Sequence, residues 1–214
     1  MSPTDDLVNA LTPVVAAFEH LQRAHCIGGS VARSFHGAAR STMDVDLLCE
    51  LSEDRITEFL SCFDEDCYVR EAAVREAVDR RSCFNLIHLP TSFKIDVFVS
   101  EGRPYDITRI RHATHEHLGS GRTIVVPTTS PEDSVISKLK WYRDGNETSE
   151  RQLDDVPKLA KLLGSSLDLS YMQEAAASVG VSDVRRSIVV ARSVRIHGVR
   201  HSNGIRLPRF PRGG

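Results

Sequence analysis

The chain reads GGS at residues 28–30, DVD at residues 44–46 and FKIDVFV at residues 93–99. A β-strand places side chains i and i+2 on one face, so Asp44 and Asp46 are predicted to project together. If the strand that carries Asp96 pairs beside them, three negative charges share one small space. Such a group needs protons or bound cations, and carboxylate oxygens favour Mg²⁺.

The two glycines predict the second half of a site. Gly28 and Gly29 allow close backbone approach, and Ser30 can cap a helix over residues 31–36. The N-terminus of that helix would present free amides to a phosphate. Carboxylates for a metal and amides for a phosphate together indicate nucleoside triphosphate chemistry, in which paired ions stabilise the attacking and leaving oxygens.

An Asp-x-Asp pattern by itself is more typical of a turn or a solvated strand face than of a metal site. Here Asp46 lies among Val45, Leu47 and Leu48, and Asp96 lies in a similarly apolar run. An unpaired carboxylate would be costly at such positions. Together with the Gly-Gly-Ser turn, this context favours metal binding over a structural role.

These elements resemble the polymerase-beta-type nucleotidyltransferases, whose signature is a Gly-Gly or Gly-Ser turn, a short helix, an Asp-x-Asp strand and a later strand Asp. More closely, the chain is similar over about residues 10–185 to proteins related to the AbiEii-type nucleotidyltransferase toxins. The segments that carry this second resemblance are GGSVA at 28–32, RSTMDVDL at 40–47, SCFNLIH at 82–88, FKIDVF at 93–98, SPED at 130–133, KLKWYR at 138–143 and SERQ at 149–152.

The resemblance implies transfer of a nucleoside monophosphate from an NTP, such as ATP, to an acceptor hydroxyl. It implies that Asp44, Asp46 and Asp96 are the catalytic residues and also ligate the metal, with two Mg²⁺ ions expected and Mn²⁺ as the alternative. The implied acceptor is RNA, in particular a tRNA 3′ end. A cognate antitoxin protein is the implied partner.

Nucleotide binding is predicted for the Gly-Gly-Ser turn and for basic side chains near it. Lys138, Lys140 and Arg143 lie on one predicted helix, where a solvated face is the alternative, and Arg40 could instead pair with a surface acid. Arg151 lies in the segment similar to a later toxin motif, from which Gln152 departs. The predicted nucleotide-binding set is Gly28, Gly29, Ser30, Arg40, Lys138 and Arg143.

Other functions stay open from the sequence. The same chemistry could serve a small molecule or a protein side chain as acceptor, because no residue pattern separates these acceptors. A non-catalytic, nucleotide-binding interaction protein is the alternative outside enzymology. A P-loop kinase is disfavoured because the chain lacks a Gly-x-x-x-x-Gly-Lys-Ser/Thr loop.

The composition fits one domain or two small lobes: 214 residues, 41% of them apolar, with a net charge of −2. We predict an α/β (α+β) fold, with a small mixed nucleotidyltransferase sheet flanked by helices over residues 1–127. A mainly helical lobe is expected over residues 128–192. The Arg-rich segment 193–214 is predicted to be a disordered basic tail, with RNA binding as the alternative.

No apolar run approaches the roughly 20 residues that span a bilayer, and the N-terminal residues lack a signal-peptide pattern. We therefore expect a cytoplasmic protein with no membrane partner. The chain has five cysteines without Cys-x-x-Cys spacing, which favours buried, reduced thiols. His112, His115 and His117 match zinc-ligand spacing poorly and are predicted to be exposed.

Apolar periodicity predicts the elements around the site. A first helix is expected over about residues 7–21, where Pro13 leaves a break open, and further helices after Ser52 and from Arg70 to Arg81. Segments 83–89 and 93–99 predict a hairpin. After Gly102 the chain is predicted to be irregular as far as a strand at 123–126, with helices at 131–144, 149–163 and 168–179.

Overall fold

The computed structural model describes residues 3–29, 31–32, 44–119, 123–144 and 167–182. Its helices are α1 (Pro3–His20), α2 (Ile56–Ser61, after a 3-10 turn at Glu53–Arg55), α3 (Glu71–Arg80), α4 (Pro104–Arg111), α5 (Pro131–Asp144) and α6 (Leu169–Ser178). Its strands are β1 (His25–Ile27), β2 (Asp44–Cys49), β3 (Cys67–Val69), β4 (Cys83–His88), β5 (Phe93–Val99), β6 (Thr114–Leu118) and β7 (Ile124–Thr128).

The strands form one seven-stranded mixed sheet in the order β3-β4-β5-β2-β1-β7-β6. The central pair, β2 and β5, is parallel, whereas β4 and β5 form the predicted antiparallel hairpin. Strand β1 joins the other half of the sheet, antiparallel to β2 and parallel to β7. The predicted mixed α/β class is therefore confirmed.

Helix α1 packs its apolar stripe into the main core. Val8, Leu11, Val14 and Phe18 are fully buried in one cluster with inward-facing side chains of the central strands. Each such side chain contributes about 1.5–3 kcal/mol through burial. This packing keeps α1 continuous through Pro13, so the break that Pro13 left open does not occur.

A second core cluster joins the helices of the C-terminal half. It contains Tyr105 of α4, Ile136 and Leu139 of α5, and Met172 of α6. Helix α5 begins with the predicted cap, since the Ser130 hydroxyl accepts a hydrogen bond from the amide of the third following residue and donates one to its carboxylate. Helices α5 and α6 correspond to the helices predicted at 131–144 and 168–179.

The prediction of an irregular segment after Gly102 was wrong. Arg103 is extended and Pro104 takes the first turn of α4, where its missing N–H needs no partner. Strand β6 then pairs along β7 as an edge strand, with a mostly polar sequence in which only Leu118 is buried. Neither element shows a regular pattern of apolar residues in the sequence. Helix α4 is held mainly by the buried Tyr105, and strand β6 is held by its backbone hydrogen bonds to β7.

The histidines and cysteines follow the sequence predictions in part. His112, His115 and His117 are exposed, as expected. All five cysteines are free, and Cys26, Cys49 and Cys67 are buried, but Cys83 is exposed on β4, contrary to the prediction of burial. Burial raises the pKa of the Cys26 thiol to about 11, so it stays protonated at neutral pH.

Several predictions lie outside the described residues. They concern Ser30, Arg40, the motif around Arg151, the helix at 149–163 and the basic tail at 193–214. The division into lobes at residue 127 stays a prediction. Among the helices that the structure describes, none is long and apolar enough to cross a membrane.

Candidate active site

The parallel pairing of β2 and β5 brings the predicted carboxylates together. Asp46 lies opposite Asp96 in the register, and Asp44 lies opposite Lys94. Neighbouring strands are about 4.8 Å apart and opposed residues share a face, so the four side chains form one polar patch. The alternate residues, such as Val45 and Ile95, are fully buried on the opposite face.

Lys94 lies between the acids and neutralises part of their charge. Its Nζ is 3.1 Å from Asp96 Oδ2 and 3.5 Å from Asp44 Oδ1. The hydrogen-bonded carboxylate of Asp96, followed by that of Asp44, raises the pKa of Lys94. The lysine therefore stays charged and already acts as a cation shared by two of the three carboxylates.

Asp96 is further positioned from β4. Asn85 lies opposite Asp96 in the antiparallel register, and its Nδ2 donates a hydrogen bond to Asp96 Oδ1. One carboxylate oxygen of Asp96 thus accepts a hydrogen bond from the Asn85 amide, and the other pairs with the Lys94 ammonium. Its side chain is only 18% exposed, against 62% for Asp44, so Asp96 is the more firmly held of the two.

The Gly28-Gly29 turn lies directly against Asp46. The Gly28 amide donates to the Asp46 carbonyl at 2.8 Å, and Ala32 N donates to the Gly28 carbonyl in the first helical hydrogen bond. A Cβ placed on Gly29 would lie 2.8 Å from Asp46 Cγ and closer still to Oδ2. Gly29 has a φ of +61°, a left-handed conformation that also favours glycine.

Gly29, Asp44, Asp46 and Asp96 line a cleft of about 850 Å³ between the sheet and helices α4 and α5. The cleft carries both signs of charge. Its acidic members are Asp44, Asp46, Asp96, Glu101, Asp106 and Asp144, and its basic members are Arg81, Arg109, Lys138 and Lys140. Trp141, which is 52% exposed, contacts Phe98 edge-on within the same lining. The cleft is large enough for a nucleotide-sized ligand.

The carboxylates of the cleft are the type of ligand that a hard divalent cation binds. Within the described ranges, no three His, Cys, Asp or Glu side chains are already arranged around a common ion position. Carboxylate oxygens are nevertheless the ligands that Mg²⁺ and Mn²⁺ favour. The Lys94 ammonium, shared by Asp44 and Asp96, shows that this patch is neutralised by a cation.

The predicted basic residues have different positions. Lys138 and Lys140 line the cleft, and Lys140 also pairs with Asp144 on the same helix. Arg143 is not among the lining residues, and its Nη1 donates to the Gly180 carbonyl at 2.9 Å. The nucleotide-binding role of Arg143 stays a prediction.

Sequence reasoning missed three polar residues of the site. Lys94 could have been found, because it precedes Asp96 by two residues and must share its strand face. Asn85 could have been placed only with the hairpin register. Arg109 had no signal, since the segment that carries it was predicted to be irregular.

The thiol of Cys83 also lines the cleft, next to the acids. Partial burial, followed by the charges of Asp96 and Asp46, raises its pKa to about 11. The thiol is therefore protonated at neutral pH and is a poor nucleophile. A cysteine-based reaction in this cleft is disfavoured.

Comparisons with known proteins give a likeness in structure only. No protein-family model and no curated protein matches the chain in sequence. A solution structure of the antibiotic-resistance factor ANT(2'')-Ia is 13% identical, with a TM-score of 0.43, over 92% of this chain and 99% of that one. An antigenic nucleotidyltransferase-like protein from Paracoccidioides brasiliensis is 19% identical, with a TM-score of 0.48, over 86% of this chain and 90% of that one.

A crystal structure of ANT(2'')-Ia in complex with adenylyl-2''-tobramycin is 13% identical, with a TM-score of 0.46, over 82% of this chain and 96% of that one. All three TM-scores lie below 0.5. The functional proposal below therefore rests on the residues of the cleft.

Proposed function

We propose that the protein is a Mg²⁺-dependent nucleotidyltransferase, which transfers a nucleoside monophosphate from an NTP to an acceptor hydroxyl. The observation that carries the proposal is the pairing of Asp46 with Asp96 across β2 and β5, with Gly29 packed against Asp46. Carboxylates for a cation and a glycine turn for phosphate oxygens meet at one point of one cleft. Both are needed for an NTP substrate.

Asp44, Asp46 and Asp96 would hold the divalent cations, with Lys94 displaced from its present position between two of them. When bound, the ions polarise the α-phosphate, lower the pKa of the attacking hydroxyl and neutralise the departing pyrophosphate. Gly29, which lines the cleft, would allow the triphosphate to approach the backbone of the turn. Lys138 and Lys140 add positive charge on the opposite wall of the cleft.

The reaction balances without a further reactant. The acceptor oxygen forms a bond to the α-phosphorus, and the bond from that phosphorus to the bridging oxygen of the β-phosphate breaks. The bridging oxygen leaves with the electron pair as part of pyrophosphate. Asp96, which accepts a hydrogen bond from Asn85, would accept the proton of the hydroxyl.

For the acceptor we propose RNA, in particular the 3′ end of a tRNA, in line with the resemblance of the sequence to AbiEii-type toxins. A cognate antitoxin would then be the protein partner. The second candidate is a small cationic acceptor. The observation that favours it is the set of acidic lining residues beyond the triad, Glu101, Asp106 and Asp144.

The test is to incubate the protein with Mg²⁺ and each of four NTPs, labelled in parallel reactions at the α- or the γ-phosphate. Total tRNA and a panel of amine-bearing small molecules serve as separate acceptor pools, and Asp46→Asn is the matched variant. We expect α-label on one acceptor, γ-label only in pyrophosphate, and loss of transfer by at least about 100-fold in the variant.

Label on tRNA supports the RNA acceptor, and label on the small molecules alone supports the second candidate. Label that persists unchanged in Asp46→Asn would show that the chemistry does not belong to this cleft. Absence of transfer to any pool, together with nucleotide binding, would leave the non-catalytic, nucleotide-binding protein as the better account.

A further inference from the structure

Arg109 lies on the last turn of α4, and its side chain reaches the Gly28-Gly29 turn. A Cβ placed on Gly28 would lie 2.7 Å from Arg109 Nη2, so the guanidinium packs directly on the glycine backbone. Arg109 lines the same cleft as Gly29 and Asp46. The absence of a side chain at residue 28 is thus what makes room for this cation.

The half-buried side chain of Arg109 has one guanidinium nitrogen that is buried and not hydrogen-bonded. Its Nε is inaccessible to solvent, and no group in the part of the chain that the structure describes accepts a hydrogen bond from it. None of the described carboxylates forms a close ion pair with it either. Burial of a charged group without a partner is costly, and a ligand that supplies oxygens removes that cost.

The groups around Arg109 indicate the charge and the position of a ligand that it could bind. The amide of Gly28 donates to the Asp46 carbonyl, and the carboxylate of Asp46 lies against Gly29, the next residue of the turn. An anion held by Arg109 would therefore lie beside Gly29, on the edge of the carboxylate patch. Arginine is suited to this task, because its planar fork donates two parallel hydrogen bonds to phosphate oxygens.

We propose that Arg109 binds the terminal phosphates of the NTP and so positions the triphosphate against the Gly28-Gly29 turn. This assignment rests on the proposed function, since it names the residue that recognises the leaving pyrophosphate group. It predicts that the cleft distinguishes triphosphates from monophosphates, and that this discrimination depends on Arg109.

Binding can be measured without catalysis and without an acceptor. Trp141 is the one tryptophan of the chain and lines the cleft, so its fluorescence reports occupancy. The probes are inorganic tripolyphosphate, ATP and AMP, each titrated into the full-length protein with Mg²⁺. The variants are Arg109→Gln and Arg109→Lys, with Arg111→Gln as matched control, because Arg111 is exposed on the same helix.

Loss of the charged hydrogen bonds is expected to weaken tripolyphosphate and ATP binding by about 10- to 100-fold in Arg109→Gln. AMP binding should change by less than about threefold, a split that a merely structural role of Arg109 would not produce. Arg109→Lys retains the charge without the fork and should lie between wild type and Arg109→Gln. Arg111→Gln should bind all three probes as the wild type does.

Unchanged tripolyphosphate and ATP affinities in both Arg109 variants would overturn the assignment, and label transfer by the wild type would still uphold the proposed function. Equal losses for ATP and AMP would also overturn it, in favour of a packing role. If Arg109→Gln does not fold, as judged by its thermal transition, Arg109→Lys alone decides between these results. A wild-type protein that binds neither ATP nor tripolyphosphate would overturn both proposals together.

Discussion

Gly29 lies against the carboxylate of Asp46, so close that a Cβ on Gly29 would overlap the side chain of Asp46. The two residues belong to different elements, the glycine turn after β1 and the first half of β2. Their contact joins the predicted phosphate-binding backbone to the predicted metal-binding strand. The turn and the Asp-x-Asp motif therefore form one structural unit.

Replacing Gly29 with alanine tests that unit. The variant must either move Asp46 or open the turn, and a displacement of about 1 Å in a catalytic group can lower a rate by about 100-fold. We expect transfer activity to fall by about that factor, measured as label incorporated per unit time. Gly180→Ala is the matched control, because Gly180 has a similar φ of +74° but open space at its Cβ position.

The control separates backbone strain from the clash with Asp46. Both variants should lose stability through the left-handed conformation, by about 1–2 kcal/mol in urea unfolding. Only Gly29→Ala should also lose activity. Equal activities in the two variants would contradict the contact as a determinant of the site.

Lys94 is expected to compete with the divalent cation for Asp44 and Asp96. In Lys94→Met, the acids of the patch lose their neutralising charge, so the melting temperature in EDTA should fall. The free energy of unfolding should fall by less than about 1 kcal/mol, because the ion pairs of Lys94 are partly exposed. Addition of Mg²⁺ should then raise the melting temperature by more than it does in the wild type.

Lys140→Met is the matched control for that experiment. Lys140 also pairs with a carboxylate, but that carboxylate belongs to Asp144 on α5 and not to the β2–β5 patch. Its loss should leave the Mg²⁺-dependent shift of the melting temperature unchanged. A Mg²⁺ response of Lys94→Met that equals that of the wild type would show that the ammonium and the cation do not share ligands.

Asn85 is predicted to position Asp96 through the hydrogen bond to Oδ1. Loss of such a supporting partner commonly costs about 10- to 100-fold in metal affinity or activity. We expect kcat of Asn85→Ala to fall by about 10-fold, with a smaller change in KM. Steady-state kinetics with the best labelled NTP measure both values, and an unchanged kcat would remove Asn85 from the site.

The buried thiols predict a loss of stability at high pH. Burial raises the pKa values of Cys26 and Cys67 from 9.0 to about 11. Between these values the unfolded chain releases its thiol protons while the folded protein keeps them. The contribution of the protonated thiols to the free energy of unfolding is therefore fully present below pH 9 and is lost as the pH rises through about 11.

Urea unfolding at pH 8, 9, 10 and 11 measures this slope. Cys26→Ala removes one of the thiols with a raised pKa, and the stability of this variant should decline less steeply with pH than that of the wild type. The comparison uses slopes, so a constant loss from the smaller side chain does not affect it. Parallel slopes would contradict the assignment of the pH dependence to Cys26.

The sequence predicted the residues of the site that share a strand or follow a capping pattern. Asp44, Asp46 and Asp96 could be placed because strand alternation is a local rule and their apolar neighbours mark the strands. The α5 cap was equally local, since Ser130 and the acid three residues later form a known pairing.

The rest depended on contacts between distant segments. Arg109 reaches Gly28 only because Tyr105 anchors α4 in the second core cluster, and α4 itself has no regular apolar stripe. Asn85 meets Asp96 through the register of a hairpin, which a one-residue slip would abolish. Pro13 lies within a helix because tertiary packing outweighs its local preference.

The most direct test of the central claim is a titration of Mn²⁺ into the protein in the presence of a non-hydrolysable ATP analogue. Electron paramagnetic resonance measures how much Mn²⁺ is bound. If Asp46 and Asp96 hold the cation together, Asp46→Asn and Asp96→Asn each weaken Mn²⁺ binding by at least about 10-fold. The double variant then adds little to either loss, because the two residues act as one unit. Mn²⁺ affinities in both single variants that equal the wild-type value would contradict a metal site between β2 and β5.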